Sequence, residues 1–160
     1  MNINKLLADN AALRKKVLHL ENLLDTDALT GAKSARSFFR VCDRRELIEH
    51  QLVTAFDLRN FGDYNKRFGH HAGDEILKKF VNKLKVVFRN SDDIYRRGGD
   101  EFVTILNTSK NLTDTKEIKE RLTDAKIANI AYIGFASGQE PTQELVIRAF
   151  AEVEKQKRFK

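Results

Sequence analysis

Apolar residues change their spacing along the chain, and each change marks an element. Across residues 1–26, Ile3, Leu6, Asn10, Leu13, Val17, Leu20 and Leu24 recur every three or four positions. That is an a/d seam with one polar member. Asn10 falls at an a position, where a buried amide favours a parallel two-stranded coil in one register. The same spacing fits a single amphipathic helix lying on its own domain. A helix is predicted over 34–50, with Ser34 as a possible N-cap and Phe38, Phe39, Val41, Cys42, Leu47 and Ile48 facing inward. The run 51–58 is apolar and β-branched and reads as a strand. A short helix near 61–67 follows. The next helix, over 71–88, carries Ile76, Leu77, Phe80, Val81, Leu84 and Val87 on one face. Strands are predicted at 93–97 and 101–107, a polar helix at 113–125 and a strand at 127–136. A last helix over 142–157 follows the lone Pro141, which suits a first turn. From residue 51 the order is βααββαβα, not a plain βαβ alternation, so the class is α+β.

Length and composition narrow the picture. A chain of 160 residues holds one ordinary domain besides the first helix, giving units at 1–26 and 27–160. No apolar run approaches the roughly 18 residues of a membrane span. The N-terminus lacks the apolar core of a signal peptide. Cys42 is the only cysteine, which excludes an intrachain disulfide and points to a reducing compartment, the cytoplasm. The net charge of +6 suits an anionic ligand, nucleotide or nucleic acid. It suits a lysine-rich surface equally, so charge does not select nucleic acid.

The densest chemistry lies at Arg96-Arg97-Gly98-Gly99-Asp100-Glu101-Phe102, between two apolar runs. Two strands joined by a tight turn have this pattern. Gly98 and Gly99 permit positive φ and close approach of a ligand. Adjacent carboxylates at a bare turn suit a hard cation that also holds a phosphate. A solvated acidic turn has the same letters. The strand at 51–58 adds Asp57 at its C-terminal end, with the Leu58 carbonyl beside it. A carboxylate from each of two elements can bridge metals in nucleotidyl transfer.

At these residues the chain resembles the GGDEF-domain diguanylate cyclases of bacteria. Gly98-Gly99-Asp100-Glu101-Phe102 looks like their signature. Asp27-Ala28-Leu29-Thr30-Gly31 is similar to the family's Asp-x-Leu-Thr-Gly motif. Asn65, Gly69-His70 and Gly73-Asp74 match its Asn-x-x-x-Gly-His-x-x-Gly-Asp segment. The resemblance extends from about 27 to 157. It implies a mainly antiparallel central sheet flanked by helices, akin to nucleotidyl cyclase and polymerase palm domains. It also implies condensation of two GTP into cyclic di-GMP at the interface of a homodimer, here joined through residues 1–26. By position, Asp57, the Leu58 carbonyl and Asp100 would hold Mg²⁺ or Mn²⁺. Asp100 is also the family's proposed base, and Glu101 shares its turn. Asn65 and Asp74 would read guanine, whose N1–H and N2 amine both donate to an Asp. Gly98 and Gly99 would lie against the nucleotide, and Lys157 matches a phosphate-binding lysine. Arg89 and Asp92 resemble an inhibitory site for the product, where a guanidinium suits both phosphate and guanine. Plainer readings exist: Asp74 as a helix cap, Lys157 as a solvated side chain, Arg89 and Asp92 as a helix-end ion pair.

The departures from the family pattern are specific. Its Asp-x-Asp-x-Phe-Lys segment reads Asp57-Leu58-Arg59-Asn60-Phe61-Gly62 here. Arginine replaces the second Asp, and glycine replaces a lysine that contacts phosphate. Lys66, one helical turn on from Gly62, and Arg59 are the candidate substitutes. Ala149-Phe150-Ala151-Glu152-Val153-Glu154 replaces the family's Ala-Asp-x-Ala-Leu-Tyr, and Ser34-Ala35-Arg36 its Asn-Arg-Arg. Three functions follow: an active cyclase, a weak or inactive module binding GTP or cyclic di-GMP, and a palm-like domain with another nucleotide or nucleic-acid substrate.

Overall fold

A computed structural model describes residues 3–43, 50–107 and 112–158. The elements run α1 (Ile3–Asp25), α2 (Ala35–Cys42), β1 (Gln51–Leu58), α3 (Phe61–Phe68), α4 (His70–Val87), β2 (Asp93–Gly98), β3 (Glu101–Asn107), α5 (Leu112–Asp124), β4 (Ala131–Gly138) and α6 (Thr142–Arg158). The four strands form one antiparallel sheet in the order β2-β3-β1-β4. This is the expected α+β architecture.

β1 is central, and every one of its eight residues is buried. A strand covered on both faces reads as a continuous apolar run, because neither side meets water. Leu52, Phe56 and Leu58 point to one face, where they meet Phe80, Leu84 and Val87 of α4 and Phe102 of β3. Val53 and Ala55 point to the other face, against Leu145, Ala149 and Val153 of α6 and Phe38 of α2. Asp57 belongs by parity to this α6 face. The chain therefore aims its strand-end carboxylate at the last helix.

α6 is held on the sheet by contacts that fix its register. β4 is an edge strand with backbone groups open to pairing by a stranger. Glu152 accepts from the Phe135 amide at 2.8 Å, and Gln156 bonds the Ile133 carbonyl at 2.6 Å and amide at 3.3 Å. Gly134 allows the close approach, since a Cβ there would lie 1.8 Å from the Ala149 carbonyl oxygen. Gly134→Ala is expected to push α6 outward and cost about 1–3 kcal/mol. Urea unfolding at constant pH measures it, and an unchanged midpoint would mean that α6 yields freely.

Several expectations shift in the structure. Ser34 caps α2 as read, its hydroxyl accepting from the Ser37 amide at 3.2 Å. Phe38 and Cys42 are buried, but Phe39 is 52% exposed and packs edge-on against Phe38 instead of entering the core. Leu47 and Ile48 lie outside the described residues. The predicted strand at 127–136 starts late. Lys126 adopts a left-handed φ of 55°, and Ile127–Asn129 closes a 3₁₀ turn before β4 begins. α1 is one straight-through helix whose described side chains from Ile3 to Leu24 are all exposed. It does not lie on its own domain. Among the described residues, no helix is long and apolar enough to cross a membrane.

Candidate active site

The β2–β3 hairpin turns on two residues, Gly99 and Asp100, with Gly98 opposite Glu101. Only Gly99 uses positive φ, at 51°; Gly98 does not. A Cβ at either glycine would meet no atom within 4 Å, so both face open space. The Leu58 amide donates to the Asp100 carbonyl at 3.4 Å, joining the turn to the end of β1. Asp57 sits directly across from Glu101 in the β1–β3 register. Directly opposed residues share a face, and like charges so placed repel.

Two cations answer that repulsion, one for each carboxylate. Lys157 of α6 donates to Asp57 at 2.7 Å and to Glu154 at 2.9 Å. Arg97 pairs with Glu101 and stacks over the Phe150 ring at 4.7 Å. Phe150, Glu154 and Lys157 are spaced to share one helical face, which is how α6 reaches the acidic end of the sheet. Burial lowers the proton affinity of the Lys157 ammonium, but its bonds to Asp57 and Glu154 outweigh this and hold it above the ordinary lysine range. Among the described residues Asp100 makes no ion pair of its own. Burial, then the nearby Asp57 charge, push its carboxyl above the ordinary value.

A second brace steadies the turn from beneath. Arg96 donates to the Gly99 carbonyl at 2.8 and 3.0 Å, and to both oxygens of Asp27 at 3.3 Å. Asp27 in turn accepts from the Thr30 amide at 2.9 Å and hydroxyl at 2.6 Å. The Asp-x-Leu-Thr-Gly loop thus orients an arginine that grips the glycine turn. Sequence reading missed Arg96 and Arg97, because their partners lie in other elements or across the turn. The doubled arginine before the glycines was the available signal. Arg96→Ala is expected to cost about 1.5–3 kcal/mol, the range for bonds to charged groups, with a parallel fall in any turnover. Denaturant unfolding tests it; an unaltered midpoint would remove the brace.

The other predicted residues divide into two groups. Asn65 and Gly73 touch: a Cβ on Gly73 would lie 1.9 Å from Asn65 Oδ1. Among the described residues that buried oxygen has no hydrogen-bond partner. Asp74 lies one residue on, in the second turn of α4, whose N-cap is Gly69. It is therefore no helix cap. Arg89 and Asp92 lie elsewhere, beside a separate cavity of about 230 Å³. Their side chains form no ion pair; the Asp92 carboxylate accepts from the Arg89 backbone amide at 2.8 Å. Lys66 is tied to Asp63 at 3.2 Å and is largely exposed. Arg59 lies over the Tyr132 ring at 4.0 Å and donates to the Ala128 carbonyl. Nothing within 4 Å would meet a Cβ at Gly62.

Asp57, Asp100 and the Leu58 carbonyl are all hard oxygen donors. They would suit a divalent cation, which could also take water and phosphate oxygen. Among the described residues no group of three or more His, Cys, Asp or Glu is placed to hold a metal ion by itself.

An α+β domain with an acidic glycine turn at one end of an antiparallel sheet is the class that these features define. The profile described as "Diguanylate cyclase, GGDEF domain" matches residues 24–147. The chain belongs to that family. It is 34% identical over 102 residues to diguanylate cyclase DgcP of Escherichia coli K12, covering 61% of this chain and 30% of that protein. It is 34% identical over 141 residues to the probable diguanylate cyclase DgcI of the same organism, covering 84% of this chain and 31% of that protein. The chain thus spans about a third of the length of these relatives. The solved coiled coil and GGDEF domain of DgcB from Caulobacter crescentus, in complex with c-di-GMP, shares the fold. Its TM-score is 0.77 at 20% identity, over 99% of this chain and 95% of that one.

Proposed function

We propose that the chain is a diguanylate cyclase, condensing two GTP into cyclic di-GMP between two copies paired through residues 1–26. The observation that carries this reading is the register that sets Asp57 opposite Glu101 beside Asp100. In each half-reaction a 3′-oxygen bonds to the α-phosphorus of the facing GTP, the bond from that phosphorus to the bridging oxygen breaks, and pyrophosphate leaves. The hydroxyl proton goes to a carboxylate oxygen of Asp100. A divalent cation held by Asp57, Asp100 and the Leu58 carbonyl, Mg²⁺ or Mn²⁺, would neutralise phosphate charge and acidify that hydroxyl. Lys157 offers positive charge to the phosphates. Asp74 accepts from the guanine N1–H and N2 amine, and the unpartnered Asn65 oxygen accepts beside it. Gly98 and Gly99 leave room for the nucleotide. Arg89 and Asp92 would receive product as an inhibitor.

Pairing through α1 is part of this reading. Leu13, Val17, Leu20 and Leu24 are each about half exposed or more, an apolar seam that a second copy would cover. Tethering matters because two bound nucleotides must meet, and the helices set their effective concentration. Val17→Asp is expected to give a monomer by light scattering. Turnover per chain should fall at least about tenfold at micromolar protein. Equal turnover from the monomer would contradict the two-site reaction.

One observation favours a second reading, a GTP- or cyclic di-GMP-binding module with little turnover. Arg59 is engaged by Tyr132 and Ala128, and Gly62 brings no side chain to the phosphates. Incubation with GTP and Mg²⁺ separates the two readings, since only the cyclase releases pyrophosphate.

A further inference from the structure

A second cavity, of about 380 Å³, lies between the end of β1, α3, α4 and the 3₁₀ turn that precedes β4. Asp57, Asn65, Asp74, Asp100, Glu101 and Lys157 do not line it, whereas Leu58, whose carbonyl is assigned to the cation, does. Its volume is within the range of small-molecule sites. The walls are apolar and partly aromatic, with Phe61, Tyr64, Ile76, Phe80 and Ile130 facing the space. The charged groups around it are Arg59, Lys79 and Lys83, and no carboxylate is among the lining residues. Lys79 and Lys83 are four apart on α4, so both reach the same side of the helix. Among the described residues neither has a carboxylate within salt-bridge distance. The Arg59 guanidinium is held in place by the Tyr132 ring and the Ala128 carbonyl. An apolar slot with a one-signed rim selects by both features: a ring or short hydrocarbon for the walls, an anionic group for the rim.

We propose that this cavity is a binding site for a small amphipathic anion, an aromatic or alicyclic ring bearing one carboxylate, sulfonate or phosphate. The site is separate from the nucleotide site but shares a wall with it. The segment Leu58-Arg59-Asn60-Phe61 lines the cavity, and Leu58 adjoins the acidic turn through its amide. An occupant is therefore placed to bear on the β1–α3 connection from behind.

The test uses 8-anilinonaphthalene-1-sulfonate as probe, with the full chain labelled at isoleucine δ1 methyls. The expected result is saturable shifting of the Ile76 and Ile130 methyls. Ile147, exposed on α6, and Ile3 on α1 should stay fixed. The double variant Lys79→Glu/Lys83→Glu changes only exposed side chains of α4. It should weaken the sulfonate at least tenfold while leaving the uncharged N-phenyl-1-naphthylamine bound as before. Three results would overturn the proposal. Shifts confined to Ile3 or Ile147, or no shift, would remove the site. Equal sulfonate affinity in the double variant would remove its preference for anions. Movement of the same Ile76 and Ile130 methyls by GTP would make the cavity part of the nucleotide site.

Discussion

Asp100→Asn is expected to abolish GTP condensation and to raise the melting temperature of the metal-free chain. Both effects come from one arrangement. Asp100 is half-buried, and its carboxyl is pushed up by that burial and by Asp57. As a carboxylate it is a base and a cation ligand. It is also a poorly solvated charge beside another. Asn keeps the shape and removes the charge. Loss of a general base typically costs on the order of 10²–10⁴ in rate, and loss of a cation ligand adds to it. The pH dependence has a definite sign. Because the folded-state value is raised, the protonated form carries no penalty, and the penalty grows as pH rises through that value. The gain in melting temperature should therefore be full near pH 7 and vanish near pH 3.5. Melts of both proteins in chelator at the two pH values check this. A variant less stable at pH 7, or equally shifted at both, would show that Asp100 is not strained by its neighbours.

Gly62→Lys is expected to increase turnover. The family resemblance places a phosphate-contacting lysine at this position, and the structure leaves the space open, with nothing within 4 Å of a Cβ. Gly62 has no positive φ, so a side chain meets no backbone strain. One well-placed charge on a developing phosphate transition state is worth roughly 2–4 kcal/mol, or 10²–10³ in rate. A restored lysine on an unadapted background should recover at least about tenfold of that. Gly62 lies in the first turn of α3, where a lysine opposes the helix dipole by about 0.3–1 kcal/mol, so stability should change little. Steady-state kinetics and unfolding separate the two effects. A folded variant with unchanged turnover would mean that Lys66, Arg59 or Lys157 already fills the role.

Much of the fold was legible because its elements are written locally. The continuous run 51–58 announced a central strand, and the spacing of Leu77, Phe80, Leu84 and Val87 announced the buried face of α4. The acid–glycine turn was legible for the same reason: tight hairpins demand glycine within a few residues of each other. What escaped reading is non-local. Asp57 opposite Glu101 is a register fact, and register depends on pairing across more than forty residues. The brace from Asp27 through Arg96 to Gly99 joins two motifs that were read separately. Arg97 gains meaning only once Phe150 lies under it. Phe39 is expected inward, but α2 turns it outward while Phe38 fills the core. The late start of β4 follows from a left-handed Lys126. A β-prone Ile-Ala-Asn-Ile-Ala run gives no sign of such a break.

The most direct test is incubation of the purified chain with GTP and Mg²⁺, with chromatographic separation of products and Asp100→Ala alongside. The account predicts cyclic di-GMP and pyrophosphate from the parent and neither from the variant. Folded, dimeric parent that leaves GTP intact, or product formed equally by both proteins, would contradict it.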